Sequence, residues 1–232
     1  MKKIGIIGGI GPESTLDYYR GIIDSFREIN IGTHYPEIIV YSADLTELLE
    51  IVEAKALDKL AEWLLTRIEA LRRAGAEFAA IASNTPHVVF DEVQKRSPLP
   101  LISIVEATCT KAGSLGVKRP GLLGTRFTMQ ADFFQRPFHK HGMAVVVPTT
   151  EEQEFIHGKL FSEIELGIIK DETRKELLDI VQRMIERDAI DSIILGCTEL
   201  PLILPGEAHG IPFLNTTAIH VEEIVRHCLG GD

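Results

Sequence analysis

Short apolar runs that end in small or polar residues recur along this chain, and an amphipathic stretch follows each one. Lys3–Ile7 is the first run. Gly8-Gly9-Ile10-Gly11-Pro12 then reads as a turn, and Ser14–Arg27 as a helix. Glu37–Ser42 predicts a second strand, and Thr46–Ala54 and Lys55–Ala74 predict two helices. Leu57, Leu60, Leu64, Ile68 and Leu71 form an apolar stripe on the longer helix, which Gly75 closes. Phe78–Ala82 predicts a third strand leading into Ser83-Asn84-Thr85-Pro86. Pro86 suits the first position of a helix over His87–Arg96, with Thr85 as its cap. Leu99–Ile104 reads as a strand and Val105–Ala112 as a helix.

The pattern restarts after Lys118-Arg119-Pro120. Gly121–Gly124 predicts a strand, and Thr125-Arg126-Phe127-Thr128 opens a helix. Met143–Val147 predicts another strand, followed by two or three helices between Glu151 and Arg187. The run Ser192–Leu195 meets Gly196 and Cys197, then a short helical segment, Thr198–Leu204, that Pro205 closes. Ile211–Leu214 predicts a strand and Thr217–Cys228 the final helix.

This alternation predicts an α/β fold with mainly parallel sheets and helices on both faces. The two halves also resemble each other. Phe78–Thr85 has the layout of Ser192–Glu199, with Ser83 standing 114 positions before Cys197. At that offset Arg73 falls on Arg187 and Glu77 on Asp191. Gly5–Gly9 matches Gly121–Thr125 at an offset of 116. We therefore read an internal duplication: two pseudo-symmetric, doubly wound domains, over 1–99 plus 211–232 and over 100–210. In open α/β sheets ligands bind beyond the carboxyl ends of strands. The turns at Gly8–Ser14, Ser83–Thr85, Thr125–Thr128 and Cys197–Glu199 all fall there, so an active-site cleft is expected between the halves.

Composition narrows the function. Among 232 residues, 45% are hydrophobic and 25% charged, ordinary for a globular protein. The net charge of −10 leaves no basic surplus for neutralising phosphates, so neither nucleic acid nor an anionic membrane is an expected partner. Three cysteines, Cys109, Cys197 and Cys228, fit a reducing compartment better than a disulfide framework. The apolar run after Met1-Lys2-Lys3 is broken by glycines, and no run approaches the roughly 20 residues of a membrane span. A cytoplasmic location is expected.

The candidate chemistry lies at strand ends. Cys197, expected where a strand meets a helical turn, would be surrounded by backbone N–H groups. Such a setting lowers a thiol pKa from its free value of roughly 8.5. The bland alternative is a small core residue. Gly9–Thr15 offers N–H groups to a carboxylate or phosphate, but the glycines of this turn do not fit the dinucleotide spacing, and Asp44 is the nearest acid after the second strand. Tight-turn geometry alone would also account for them. His139, His141 and His157 share no metal-ligand spacing, so no metal is expected. No His–Asp pair accompanies Ser83 or Cys197.

Several motifs together resemble the cofactor-independent aspartate/glutamate racemase family over nearly the whole chain. They are Gly8-Gly9-Ile10-Gly11-Pro12-Glu13-Ser14-Thr15, Ser83-Asn84-Thr85-Pro86-His87, Leu123-Gly124-Thr125-Arg126-Phe127-Thr128-Met129, Gly196-Cys197-Thr198-Glu199-Leu200 and Thr217-Ala218-Ile219-His220. The resemblance implies no pyridoxal phosphate or other cofactor, and proton transfer at an α-carbon between two opposed cysteines. It also implies a last helix packed on the first domain, and a homodimer. It makes Cys197 a thiolate base and Ser83 its opposite. Asn84, Thr85 and Thr198 would hold the α-carboxylate of an acidic amino acid, with Thr125 and Glu199 in the same binding set and backbone near Ile10 at the distal end. Two departures stand out. Ser83 replaces the first family cysteine. The basic residues expected for a distal carboxylate are missing too: Asp44–Val52 holds no arginine, and Glu165 stands where a lysine is often found. A single-cysteine decarboxylase of a malonate-type acid, or a non-catalytic amino-acid binder, would also suit this pattern.

Overall fold

Five fully buried residues, Ile4–Gly8, form strand β1, the centre of the first sheet. The computed structural model describes residues 1–29, 34–204 and 206–231. After β1 come α1 (Pro12–Glu28), β2 (Ile38–Ser42), α2 (Leu45–Glu53), α3 (Leu57–Arg73) and β3 (Phe78–Ile81). A 3₁₀ helix over Thr85–Val89 then runs into α4 (Phe90–Arg96), β4 (Leu101–Ile102) and α5 (Ile104–Ser114). The order β2-β1-β3-β4 is parallel throughout.

Side chains alternate across this sheet with the period of two that a strand imposes. Ile7, Ala79 and Ile81 face Leu60, Leu64, Ile68 and Leu71 of α3. Ile4, Ile6, Phe78 and Ala80 face Tyr18, Ile22 and Phe26 of α1, together with Val221, Ile224 and Val225 near the chain's end. Each large aliphatic side chain buried this way contributes about 2 kcal/mol. Leu57, expected in the α3 stripe, is instead exposed at the helix's first position. Asp44 is a cap: its carboxylate accepts from Thr46 N–H at the start of α2.

The other unit holds β5 (Pro120–Leu123), α6 (Arg126–Gln130), α7 (Gln135–Lys140), α8 (Thr150–Ser162), a 3₁₀ turn at Ile164–Leu166, α9 (Asp171–Asp188) and β6 (Ser192–Leu195). A three-residue 3₁₀ helix, Leu200–Leu202, precedes β7 (Glu207–Ala208), β8 (Ile211–Asn215) and α10 (Thr216–Cys228). Its sheet order is β5-β6-β8-β7, with only β7 antiparallel. The strand expected over Met143–Val147 reduces to a parallel bridge between Val146 and Gly121. That bridge occupies, beside β5, the place that β2 has beside β1. Read so, the two sheets repeat one order.

The compact units are Met1–Ala107 with Thr217–Asp232, and Thr108–Thr216. The crossings therefore differ from those expected at 99/100 and 210/211. Hydrogen bonding decides this: β4 pairs with β3, and β8 pairs with β6. Among the described residues no helix is long and apolar enough to cross a membrane. Pro205, expected to close the segment after Cys197, lies outside the described residues.

The glycine turn after β1 is required by packing. Gly9 has φ +79°, and a Cβ there would lie 2.3 Å from the Ala43 carbonyl oxygen. Gly9→Ala should destabilise the protein by about 2 kcal/mol or more, from left-handed strain and a backbone clash together. Gly75, with φ +99° and open space around it, should lose only about 1 kcal/mol on the same change. Urea midpoints compare the two variants, and equal losses would show that the surroundings of Gly9 yield freely.

Candidate active site

Cys197 stands two residues beyond the end of β6. Gly196 makes that position possible: its N–H donates to the Leu123 carbonyl at 2.7 Å, and a Cβ would lie 2.7 Å from Leu122 Cδ1. The thiol is buried, with 7% of the residue exposed. Cys197 Sγ donates to Glu199 Oε2 at 3.0 Å, and Thr198 Oγ1 donates to the same oxygen at 2.9 Å. Glu199 is thus the acceptor of both neighbouring protons. The Thr198 hydroxyl proton, expected to meet a substrate carboxylate, is directed to Glu199 instead.

Electrostatics at this thiol run opposite to the expectation from sequence. Burial pushes the Cys197 pKa up, and the charges of Glu199 and Glu165 push it further, while the Glu199 backbone N–H opposes them. The helix meant to supply a positive dipole end is only the three-residue turn Leu200–Leu202. So short a turn has too few aligned peptides to matter against two carboxylates.

From sequence, Glu165 is legible only as standing where a family lysine is often found; its closeness to Cys197 is not legible there. It sits on the turn Ile164–Leu166, and its carboxylate, the Glu199 carboxylate and Cys197 Sγ lie within 4.8 Å of one another. Glu163 anchors that turn, accepting from Thr173 Oγ1 at 2.5 Å, Lys170 Nζ at 2.9 Å and Lys159 Nζ at 3.1 Å. These donors hold the Glu163 carboxylate down at about 2. Glu165 has the opposite fate: burial, then the charge of Glu199, raises it from 4.5 to about 7. These three side chains could also hold a cation, a grouping no sequence spacing announced because Glu165 comes from a distant segment. Thr125, expected to contact substrate, caps α6 through its hydroxyl, which accepts from Thr128 N–H at 3.2 Å.

In the first unit, Ser83 follows β3, and Ala82 N–H donates to the Ile7 carbonyl at 2.9 Å. Ser83 and Thr85 are half-buried and Asn84 is buried. Thr85 is the first residue of the 3₁₀ helix and not its cap; Asn84 holds the cap position without a side-chain cap bond. His87 bonds the Ser83 carbonyl, not the hydroxyl. Ile10 is buried among core side chains. The neighbouring Gly9 N–H is used within the turn, donating to Thr15 Oγ1 at 2.8 Å.

Removing negative charge beside Cys197 should lower its pKa. In Glu199→Gln, alkylation of Cys197, followed by peptide mass spectrometry against Cys109 and Cys228, should begin at lower pH than in the parent. An unmoved profile would mean burial alone sets the thiol. Glu165, raised to about 7 in the fold from 4.5, destabilises the protein only once pH exceeds the unfolded value. Glu165→Gln should therefore melt with the parent below pH 4.5 and above it near pH 8. Coinciding melting curves at both pH values would remove the raised carboxyl.

Residues 7–224 match the Asp/Glu/hydantoin racemase family. The chain is 26% identical over 218 residues to the broad-specificity amino-acid racemase RacX of Bacillus subtilis, covering 93% of each chain. It is similar to the crystal structure of an aspartate racemase homologue from Pyrococcus horikoshii, with TM-score 0.84, 38% identity, and 99% and 100% of the two chains covered. The Picrophilus torridus aspartate racemase, at 20% identity and TM-score 0.74 over 97% of this chain and 94% of that one, shares the fold. With two mainly parallel sheets and a cysteine turn at a strand end, and with residues 7–224 matched, this chain belongs to the Asp/Glu/hydantoin racemase family.

Proposed function

We propose that this protein is a racemase of free amino acids, aspartate or glutamate, that needs no pyridoxal phosphate. One observation carries the reading: in a chain of this family, the buried Cys197 thiol stands just beyond the end of β6 and is hydrogen-bonded to the Glu199 carboxylate. The thiolate is the form that can withdraw an α-proton, and it must form against the upward shift that burial and the two carboxylates impose. Ser83 serves the other face of the substrate as a weaker hydroxyl group. Asn84, Thr85 and Thr198 hold the α-carboxylate, Thr198 by turning its hydroxyl from Glu199. Thr125 and Glu199 belong to the same binding set, and backbone near Ile10 meets the distal end. Fixed donors to the developing enolate would be the largest catalytic contribution. The net charge of −10 supports a small-molecule substrate over a nucleic acid or membrane, and the sparse cysteines support a cytoplasmic location; the homodimer rests on the family resemblance alone.

A specific observation favours a second substrate class. Glu165 and Glu199 concentrate negative charge beside Cys197. Such charge attracts an α-ammonium and repels a distal carboxylate brought close. Amino acids with neutral side chains would meet less repulsion, in keeping with the broad specificity of the relative RacX.

Incubation in deuterated water tests these readings. A racemase exchanges the α-proton of aspartate, glutamate or a neutral amino acid and inverts it. A malonate-type decarboxylase leaves them all unchanged, and a binder raises the melting temperature without exchange. Cys197→Ala should abolish exchange while ligand binding persists; exchange that survives would remove Cys197 from the mechanism. Ser83→Cys should raise racemisation in both directions, because a thiol is the stronger acid. Slower turnover in Ser83→Cys, with Ser83→Ala unaffected, would overturn the two-sided mechanism.

A further inference from the structure

His87 is buried in the first unit, with 4% of the residue exposed, and both ring nitrogens are engaged. Its Nε2 is 3.2 Å from the Ile104 N–H, and its Nδ1 is 2.9 Å from the Ser83 carbonyl oxygen. A backbone N–H can only donate and a carbonyl can only accept. The ring must therefore be neutral with its proton on Nδ1, donating to Ser83 and accepting from Ile104. Burial and the neighbouring His220 hold the His87 pKa down at about 3, in keeping with that state.

The ring is locked from both sides. It stacks on Phe90 at 5.0 Å between centroids, with planes 6° apart. The edge of His220 meets it at 6.4 Å. His220 is fixed by the same logic: Nε2–H donates to the Ile102 carbonyl at 3.0 Å, and Nδ1 accepts from Tyr18 O–H at 2.7 Å. Two buried histidines thus tie α1, α10 and the chain on either side of Ser103 to the turn after β3. No bond of His87 touches the Ser83 hydroxyl, so it cannot act as that group's base. What it does hold is the backbone of the residue carrying the hydroxyl.

We propose that His87 is a positioning residue for Ser83: its neutral, Nδ1-protonated ring hooks the Ser83 carbonyl to the Ile104 amide and so fixes the Ser83 side chain for proton transfer. This rests on the racemase reading above, and the test separates the two. Gln places its amide near the position of histidine Nε2, and Asn near that of Nδ1. His87→Gln keeps a partner for Ile104 and loses the Ser83 hook, whereas His87→Asn keeps the hook.

In deuterated water, inversion by His87→Gln should fall about ten-fold or more. For the enantiomer whose α-proton faces Cys197, exchange without inversion should persist, so the ratio of exchange to inversion rises. His87→Asn should recover most of the inversion. A merely structural loss lowers exchange and inversion together, and that parallel loss, or full inversion by His87→Gln, would overturn the proposal. Nitrogen-15 NMR of the unmodified protein at pH 7 gives a readout independent of any variant. The Nδ1–H tautomer of His87 is expected, and the Nε2–H tautomer or a protonated ring would overturn it. Absence of both exchange and inversion in the unmodified protein, with the Nδ1–H tautomer present, would instead overturn the racemase reading and with it the role given to the hook.

Discussion

The last ladder hydrogen bond of each sheet determines where chemistry can begin. A buried strand end cannot leave its backbone N–H unbonded, because the lost bond costs on the order of 1–3 kcal/mol. Ala82 N–H meets the Ile7 carbonyl in one unit, and Gly196 N–H meets the Leu123 carbonyl in the other. Both bonds join the central strand to its parallel neighbour one residue before the candidate reactive side chain. Ser83 and Cys197 are thus each the first residue freed from its ladder. Their backbones turn away from the sheet, while the preceding residue stays pinned.

What surrounds each turn then separates them. Around Cys197 are two carboxylates, and a thiol and two acids confined within 4.8 Å cannot all be ionised together. The site settles this by keeping the thiol protonated and pointed at Glu199, and by raising Glu165 to about 7. Proton traffic among these groups is coupled, so a change at one moves the others. Around Ser83, among the described residues, no ionised group is in hydrogen-bond contact. Neutral imidazoles, an aromatic stack and backbone groups make a rigid setting there instead. The surroundings of one turn are charged and coupled, those of the other neutral and rigid.

The two units reach these settings through the same strand order, and α10 carries the chain back to the first. Val221, Ile224 and Val225 complete the face of the first sheet opposite α3. The histidine on this helix is therefore part of the first unit's interior, although it lies 137 positions beyond Ser83 in sequence.

Much of this was legible from residues alone. Alternating apolar runs and amphipathic stretches identify the parallel α/β halves, because strand and helix periodicity are local properties. The repeated layout around Ser83 and Cys197 marks both turns. The weaker elements were not legible. Met143–Val147 has a strand's composition, yet only Val146 reaches a partner, since pairing depends on the neighbour's register. Thr85 looks like a cap and is the first residue of a 3₁₀ helix, because Asn84 already has helical φ and ψ. The unit boundaries moved to wherever β4 and β8 found ladders to join. The sequence by itself determined the fold class, the family and the position of Cys197. Only the tertiary structure decided the sign of the thiol's pKa shift, the closeness of Glu165 to Cys197 and the grip of His87 on Ser83. Each of those depends on through-space distances between groups far apart in the chain, or on which backbone atom a side chain meets, and no local pattern of residues encodes them.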